Sequence, residues 1–283
     1  MYYFNKAVVN IYETTTFVDE QDVLRSSISD QGLYGMPVEI LETVEEFYKI
    51  RTHYFYEGYV QKEHLIEKKS FVKNQKVVLS QSLDILMTPI VQSIPLLTLT
   101  RGCLIEVEDI IEKGYQKVHL LDGRTGYIPM NYLEKKLFDT DFIPYNNKSI
   151  CACRDEEVLR LAIIKTAKSY LGAQYRWAGK TPYGIDCSGL TSMSYMLHGF
   201  LIYRDAKIMD GFPVNQIARE EMKPADLLYF PGHIAIYMGD GYYIHSTGAE
   251  GVKGVTINSL KPQDSLYRKD LDEKLYAVGS VFV

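Results

Sequence analysis

The chain has little of several things that commonly announce a function. Its 283 residues include four cysteines, six histidines and one tryptophan. No run of about 18 apolar residues is present, so nothing in it reads as a membrane-spanning helix. A net charge of −5 lacks the positive excess with which proteins hold phosphate backbones, which argues against nucleic acid as a partner. Four cysteines do not force a disulfide framework. Cys151-x-Cys153 has the wrong spacing for a zinc knuckle and no nearby histidine, so no metal is assigned to it. With Cys103, these two read as small buried hydrophobes. The start, Met1-Tyr2-Tyr3-Phe4-Asn5-Lys6, lacks the positive run and apolar core of a secretory signal, and an apparent strand from Ala7 to Tyr12 follows at once; the expectation is a cytoplasmic protein. What is abundant is tyrosine, 23 residues in a chain that is 46% hydrophobic and long for a single core.

Chemistry concentrates around the fourth cysteine. Cys187 stands in Asp186-Cys187-Ser188-Gly189-Leu190, and Leu190, Met193, Met196 and Leu197 recur after it at helical spacing. The thiol is therefore expected at a helix N-terminus, where the dipole favours an anion. Only a thiolate attacks a carbonyl, so the pKa is expected to be lowered, with an imidazole alongside completing the activation.

Two imidazoles follow in order. Gly232-His233-Ile234-Ala235-Ile236-Tyr237-Met238 alternates as a strand, and Gly239-Asp240-Gly241 is a hairpin turn. A three-residue loop would pair Met238 with Tyr242 and Ala235 with His245, making His233 and His245 diagonal neighbours on one face. A two-residue loop would shift the register and send His245 to the opposite face. His53, His64, His119 and His198 lack reactive neighbours and read as surface or packing positions.

From about Glu156 to Val283 these residues resemble the NlpC/P60 family of papain-like cysteine peptidases. The blocks are Tyr175-Arg176-Trp177-Ala178-Gly179, Asp186 to Leu190, Pro224-Ala225-Asp226-Leu227-Leu228-Tyr229-Phe230, Gly232 to Tyr237, and Tyr243-Ile244-His245-Ser246. The resemblance implies an α+β papain-like domain, with Cys187 as nucleophile, His233 as general base and His245 orienting it. Tyr175 would help stabilise the oxyanion beside the backbone N–H of Cys187. Ala178 departs from the glycine usual in the family.

The preceding chain repeats itself. Phe47-Tyr48-Lys49-Ile50, Glu57-Gly58-Tyr59-Val60 and Leu65 align with Tyr115-Gln116-Lys117-Val118, Thr125-Gly126-Tyr127-Ile128 and Leu133 at a constant offset. Each copy has short strands, turn signals and no helix-period stretch, which reads as a compact barrel. With Gly35 and Gly102 entering the preceding strands, the pattern resembles bacterial SH3-like domains. The expected architecture is two all-β SH3-like barrels, 1-68 and 69-140, followed by the NlpC/P60 catalytic domain, 141-283, with boundaries near Lys69 and Asp141. Tyr56 does not recur, its counterpart being Arg124, so the fold does not demand it there.

This arrangement is similar to γ-D-glutamyl-L-diamino acid endopeptidases that recycle murein peptides. In these the first barrel restricts the cleft to substrates with a free N-terminal L-Ala. The resemblance implies Tyr56 as that wall and Asp186 and Ser188 as holding the substrate amine. It also implies Arg204-Asp205-Ala206 as part of the γ-D-glutamyl pocket, with Trp177 also among the substrate-binding candidates. Helix capping is the alternative for Asp186 and Ser188, and a surface ion pair for Arg204 and Asp205. The expected ligand is a murein peptide such as L-Ala-γ-D-Glu-diamino acid. No metal, organic cofactor, membrane or obligate protein partner is expected. Other functions open to the same residues are wall-degrading hydrolysis, acyl transfer, or non-catalytic binding of wall peptides.

Overall fold

A computed structural model of the chain describes residues 1–15, 19–20, 23–24, 27–68, 74–142 and 155–283, the side chains of 19–20 and 23–24 excepted. Cys151 and Cys153 lie outside the described residues. Two compact units are formed, one of Met1–Lys136 with Thr140–Phe142, the other of Leu137–Asp139 with the chain from 155 onward.

The first unit holds two seven-stranded antiparallel sheets with the same strand order. One runs Ile28–Leu33, Val8–Tyr12, Glu57–Gln61, Phe47–Thr52, Pro37–Val44, Tyr2–Phe4, Leu65–Glu67. The other runs Pro95–Leu99, Leu83–Leu86, Thr125–Pro129, Tyr115–His119, Leu104–Glu112, Gln75–Val78, Leu133–Lys135. Among the described residues neither order closes on itself, so where two barrels were expected there are two open sheets by hydrogen bonding.

The glycine that recurs in both copies has a steric reason. A Cβ on Gly58 would lie 2.5 Å from Ile11 and 2.8 Å from the carbonyl of Tyr12. A Cβ on Gly126 would lie 2.5 Å from Ile85 and 2.9 Å from the carbonyl of Leu86. At the same place in each sheet a neighbouring strand crosses too closely for any side chain. The β-branched residue two positions on, Val60 or Ile128, is fully buried and fills the core. Tyr34 ties the sheets together, its hydroxyl accepting from the Leu121 N–H at 2.7 Å and its carbonyl from the Leu104 N–H at 2.8 Å.

The second unit is α+β. Its antiparallel six-stranded sheet runs Asn215–Ile217, Ala277–Ser280, Leu227–Phe230, His233–Gly239, Tyr242–Thr247, Gly254–Ser259. Helix α1, Glu156–Lys168, is capped by Asp155, whose carboxylate accepts from the N–H groups of Glu157 and Val158. Helix α2, Cys187–Met196, packs against both α1 and the hairpin of His233–Gly239 and Tyr242–Thr247. Leu228, Phe230, Ala235, Tyr237, Tyr243, Leu260 and Val278 form a core on the sheet.

Charge is buried where α1 meets the strand Leu227–Phe230. Arg160 donates to Asp226 at 2.8 Å, to Glu156 at 2.8 Å and to the Pro224 carbonyl at 2.7 Å, and its guanidinium lies 4.0 Å from the centre of the Phe282 ring. Asp226 also accepts from the Lys223 N–H at 2.7 Å. The Pro224-Ala225-Asp226 block is thus a structural clamp. Removing one member leaves a buried charge without its counter-ion, so Asp226→Ala is expected to lose about 3–5 kcal/mol of stability. A thermal midpoint equal to that of the parent would contradict this account.

Candidate active site

Asp186 ends an extended segment and caps α2, its Oδ1 accepting from the Gly189 N–H at 2.5 Å. Cys187 is therefore the first helical residue. The glycine after Ser188 is required by contact, because a Cβ there would lie 2.1 Å from the carbonyl of Gly179. The loop before the helix turns at Ala178, whose φ of 59 is in the left-handed region, the conformation for which the family's usual glycine is suited. Alanine keeps that conformation with its side chain buried.

Arg204 lies under the helix start. Its Nη1 donates to Asp186 Oδ1 at 3.1 Å and to Ser188 Oγ at 2.6 Å, and its Nη2 donates to Asp186 Oδ2 at 3.1 Å. The guanidinium is 2% exposed, so this is a buried, bidentate pair rather than a surface ion pair in a loop. Asp186 and Ser188 are each 7% exposed. Asp205 points elsewhere, its carboxylate hydrogen-bonded to the Tyr203 hydroxyl.

The hairpin combines both loop lengths weighed from the sequence. The turn itself is two residues, Asp240 and Gly241 at φ 49 and 70, with Gly239 paired to Tyr242. A bulge between Tyr237 and Gly239 then takes up one residue, so that Tyr237 pairs with Tyr243 and Ile236 with Ile244. Two residues further on, this register sets His233 diagonal to His245. Their rings meet, His233 Nε2 lying 2.7 Å from His245 Nδ1. On the next strand Asn258 continues the line, its Oδ1 2.9 Å from His245 Nε2. Ser246 Oγ donates to the carbonyl of Ile185 at 2.6 Å, pinning the His245 strand to the segment that leads into Cys187.

The thiol sits beside this line, its sulfur receiving the backbone N–H of Ile234, the residue after His233. It is 7% exposed. Burial, then the Asp186 carboxylate, raise its pKa; the Ile234 N–H, Arg204 and the Ser188 N–H lower it, and burial prevails, pushing it up to about 11. This overturns the expected depression. A helix N-terminus contributes only about 0.3–1 kcal/mol, less than the roughly 1.4 kcal/mol of one pKa unit, and the loss of water exceeds it. Burial and the neighbouring His245 push His233 down to about 3, and burial pushes His245 down to about 4 against the raising effect of Asn258. The resting site is a neutral thiol beside two neutral imidazoles.

Tyr175 is half-buried and close enough to Cys187, Asp186 and Arg204 for each to shift its titration; burial, the largest effect, pushes its phenol well above the ordinary range, so it remains a donor. Its N–H donates to the Lys253 carbonyl at 2.7 Å, and its ring lies against Gly248. Trp177 is 66% exposed. Tyr56 belongs to the first unit, where its hydroxyl donates to the Ser29 carbonyl at 3.5 Å and its N–H to Thr52 Oγ1 at 3.0 Å. Asn258 went unnoticed in the sequence, its only signal being its place two residues past Thr256, the cross-strand partner of His245. Cys103 is fully buried and pushed up to about 12 by that burial, as an inert thiol should be. Among the described residues no cluster of three His, Cys, Asp or Glu is arranged to hold a metal.

Two measurements check this geometry. Alkylation of Cys187 in the substrate-free protein should keep accelerating up to about pH 10, in step with the thiolate fraction; a plateau reached near neutrality would contradict a neutral resting thiol. Ala178→Gly should stabilise the protein by about 1 kcal/mol, by relieving a left-handed alanine, read as a higher thermal midpoint.

Comparisons with known proteins bear on the family of the chain. A family model described as the NlpC/P60 family matches residues 172–273, which include Cys187, His233, His245 and Asn258. Dipeptidyl-peptidase 6 of Lysinibacillus sphaericus is 37% identical over 268 residues, spanning 92% of this chain and 94% of that protein. A gamma-D-glutamyl-L-lysine dipeptidyl-peptidase of Bacillus cereus is 39% identical over 108 residues, 34% of this chain and 32% of its own length. An NlpC/P60 family protein from Bacillus cereus, known from its crystal structure, shares the fold over 100% of both chains, with a TM-score of 0.77 at 18% identity. By the extent of the first of these relatives and by the family match over its second unit, the chain belongs to the NlpC/P60 family of cysteine peptidases.

Proposed function

We propose that the protein hydrolyses the bond between γ-D-Glu and a diamino acid in free murein peptides that begin with an unblocked L-Ala. The observation that carries this reading is a thiol at a helix start that receives the N–H of Ile234, the residue next to the first of two hydrogen-bonded imidazoles. The names of two relatives, a dipeptidyl-peptidase and a gamma-D-glutamyl-L-lysine dipeptidyl-peptidase, support a γ-D-glutamyl peptide as the substrate class.

In this reading the Cys187 sulfur attacks the γ-carbonyl carbon as His233 takes the thiol proton. Because thiol and imidazole both rest neutral, the proton moves with the attack rather than before it. The oxyanion is met by the Tyr175 hydroxyl and by the backbone N–H of Cys187, which as the first helical residue has no partner within the helix. His233 returns the proton to the departing amine, the thioester forms, and water hydrolyses it with His233 again as base.

The free amine of L-Ala is assigned to Asp186 and Ser188. A buried ammonium is costly unless it meets a carboxylate and further acceptors, and an acylated terminus supplies no charge to match them. Arg204, already bound to both residues, holds them in position and acts on the substrate through them.

Cleavage of an L-Ala-γ-D-Glu-diamino acid tripeptide, with products identified by mass, tests the whole reading. Cys187→Ala should abolish turnover while the thermal midpoint is kept, and retained activity would reject the nucleophile. Acetylating the substrate alanine should eliminate cleavage; equal rates with and without the acetyl group would reject the amine site.

A further inference from the structure

The line of hydrogen bonds that starts at His233 ends on a residue with no reactive chemistry of its own. Asn258 lies on the strand Gly254–Ser259, opposite Tyr243, and so is diagonal to His245 as His245 is diagonal to His233. Its side-chain amide is oriented from behind: Nδ2 donates to the carbonyl of Leu266 at 3.0 Å, which turns Oδ1 toward His245 Nε2 at 2.9 Å.

An amide oxygen can only accept a hydrogen bond, and a carbonyl oxygen can only accept. The Leu266 carbonyl therefore fixes which way round the Asn258 amide sits, and Oδ1 requires a proton on His245 Nε2. His245, neutral at physiological pH because burial lowers its pKa to about 4, then has a lone pair on Nδ1. That lone pair, 2.7 Å from His233 Nε2, requires a proton there in turn. His233, also neutral, is left with a lone pair on Nδ1 alone.

We infer that Asn258 is a positioning residue that sets the tautomers of both imidazoles and so leaves His233 Nδ1 as the nitrogen able to take the thiol proton. The direction of every proton in the line is decided at the Leu266 carbonyl, outside the reacting groups. Without Asn258, His245 Nε2 would be buried with no acceptor, and the Nδ1–H tautomer of His245 would become competitive. That tautomer turns a donor toward His233 Nε2, moves the His233 proton to Nδ1 and removes the base. Besides these partners, the charged groups that face the two imidazoles are Arg268 and Asp270, which pair with each other; on the thiol side stand Asp186 and Arg204.

The inference rests on the assignment of Cys187 and His233 as nucleophile and base, but its primary test does not. Long-range 15N–1H correlation spectra of the substrate-free protein at neutral pH should show His233 and His245 both protonated on Nε2. Asn258→Ala should add Nδ1–H signal at His245 and lower kcat on the tripeptide by roughly 10- to 100-fold, a part of what a general base supplies, with KM little changed. Asn258→Asp keeps an acceptor and should restore the Nε2–H tautomer and most of kcat, with the acidic limb of the pH profile moved to higher pH as the added carboxylate favours a charged His245. Nδ1–H on either imidazole of the parent protein would overturn the inference, whatever its activity. So would Asn258→Ala with parental tautomers, or Asn258→Asp failing as completely as the alanine variant, which would mark a merely structural role. If the parent cleaves no tripeptide, the substrate assignment fails and the spectra alone decide the tautomers.

Discussion

The 2.7 Å contact between His233 and His245 depends on a single residue of slack in one hairpin. Side chains alternate faces along a strand, so one step of register separates two imidazoles in contact from two imidazoles on opposite sides of a sheet. The tight Asp240-Gly241 turn taken alone would give the wrong step, and the bulge before Gly239 gives the right one. Asn258 on the third strand, the tether from Ser246 to Ile185 and the placing of the thiol beside Ile234 all inherit that register.

Around this line the protein removes water rather than supplying charge. The charges nearest the thiol, Asp186 and Arg204, are locked to each other and to the helix start, and they act on the thiol in opposite directions, with burial the largest effect. The thiol consequently rests protonated and the imidazoles unprotonated. A dry site of this kind depends on hydrogen-bond direction to say where a proton can go. An amide anchored to a backbone carbonyl suits that task better than a carboxylate, which would draw charge onto His245.

Much of the site was legible because its residues are consecutive. Asp186-Cys187-Ser188-Gly189 carries the cap, the candidate nucleophile and the glycine that the approach of Gly179 demands, and the alternation after Gly232 marks a strand whatever its partners. The repeat at constant offset was legible for a similar reason, since Gly58 and Gly126 answer the same local crossing. The open strand order of the two sheets was not, because strand pairing between distant segments leaves no local mark. The state of the thiol was misjudged from sequence because a helix N-terminus can be read from spacing whereas burial cannot. For Arg204 the sequence left a loop ion pair with Asp205 open beside a place in the substrate pocket, yet its ionic partner lies eighteen positions back on the chain.

By itself the sequence determined which groups are available, a thiol, two imidazoles and a capping carboxylate, and that each stands at the start of a helix or along a strand, since these follow from short-range pattern. Only the tertiary structure decided how they are joined: the bulge that aligns the imidazoles, the Leu266 carbonyl that orients Asn258, and the exclusion of water that keeps the thiol neutral. Hydrogen-bond direction and desolvation depend on atoms brought together from separate segments, and no local stretch of chain encodes them.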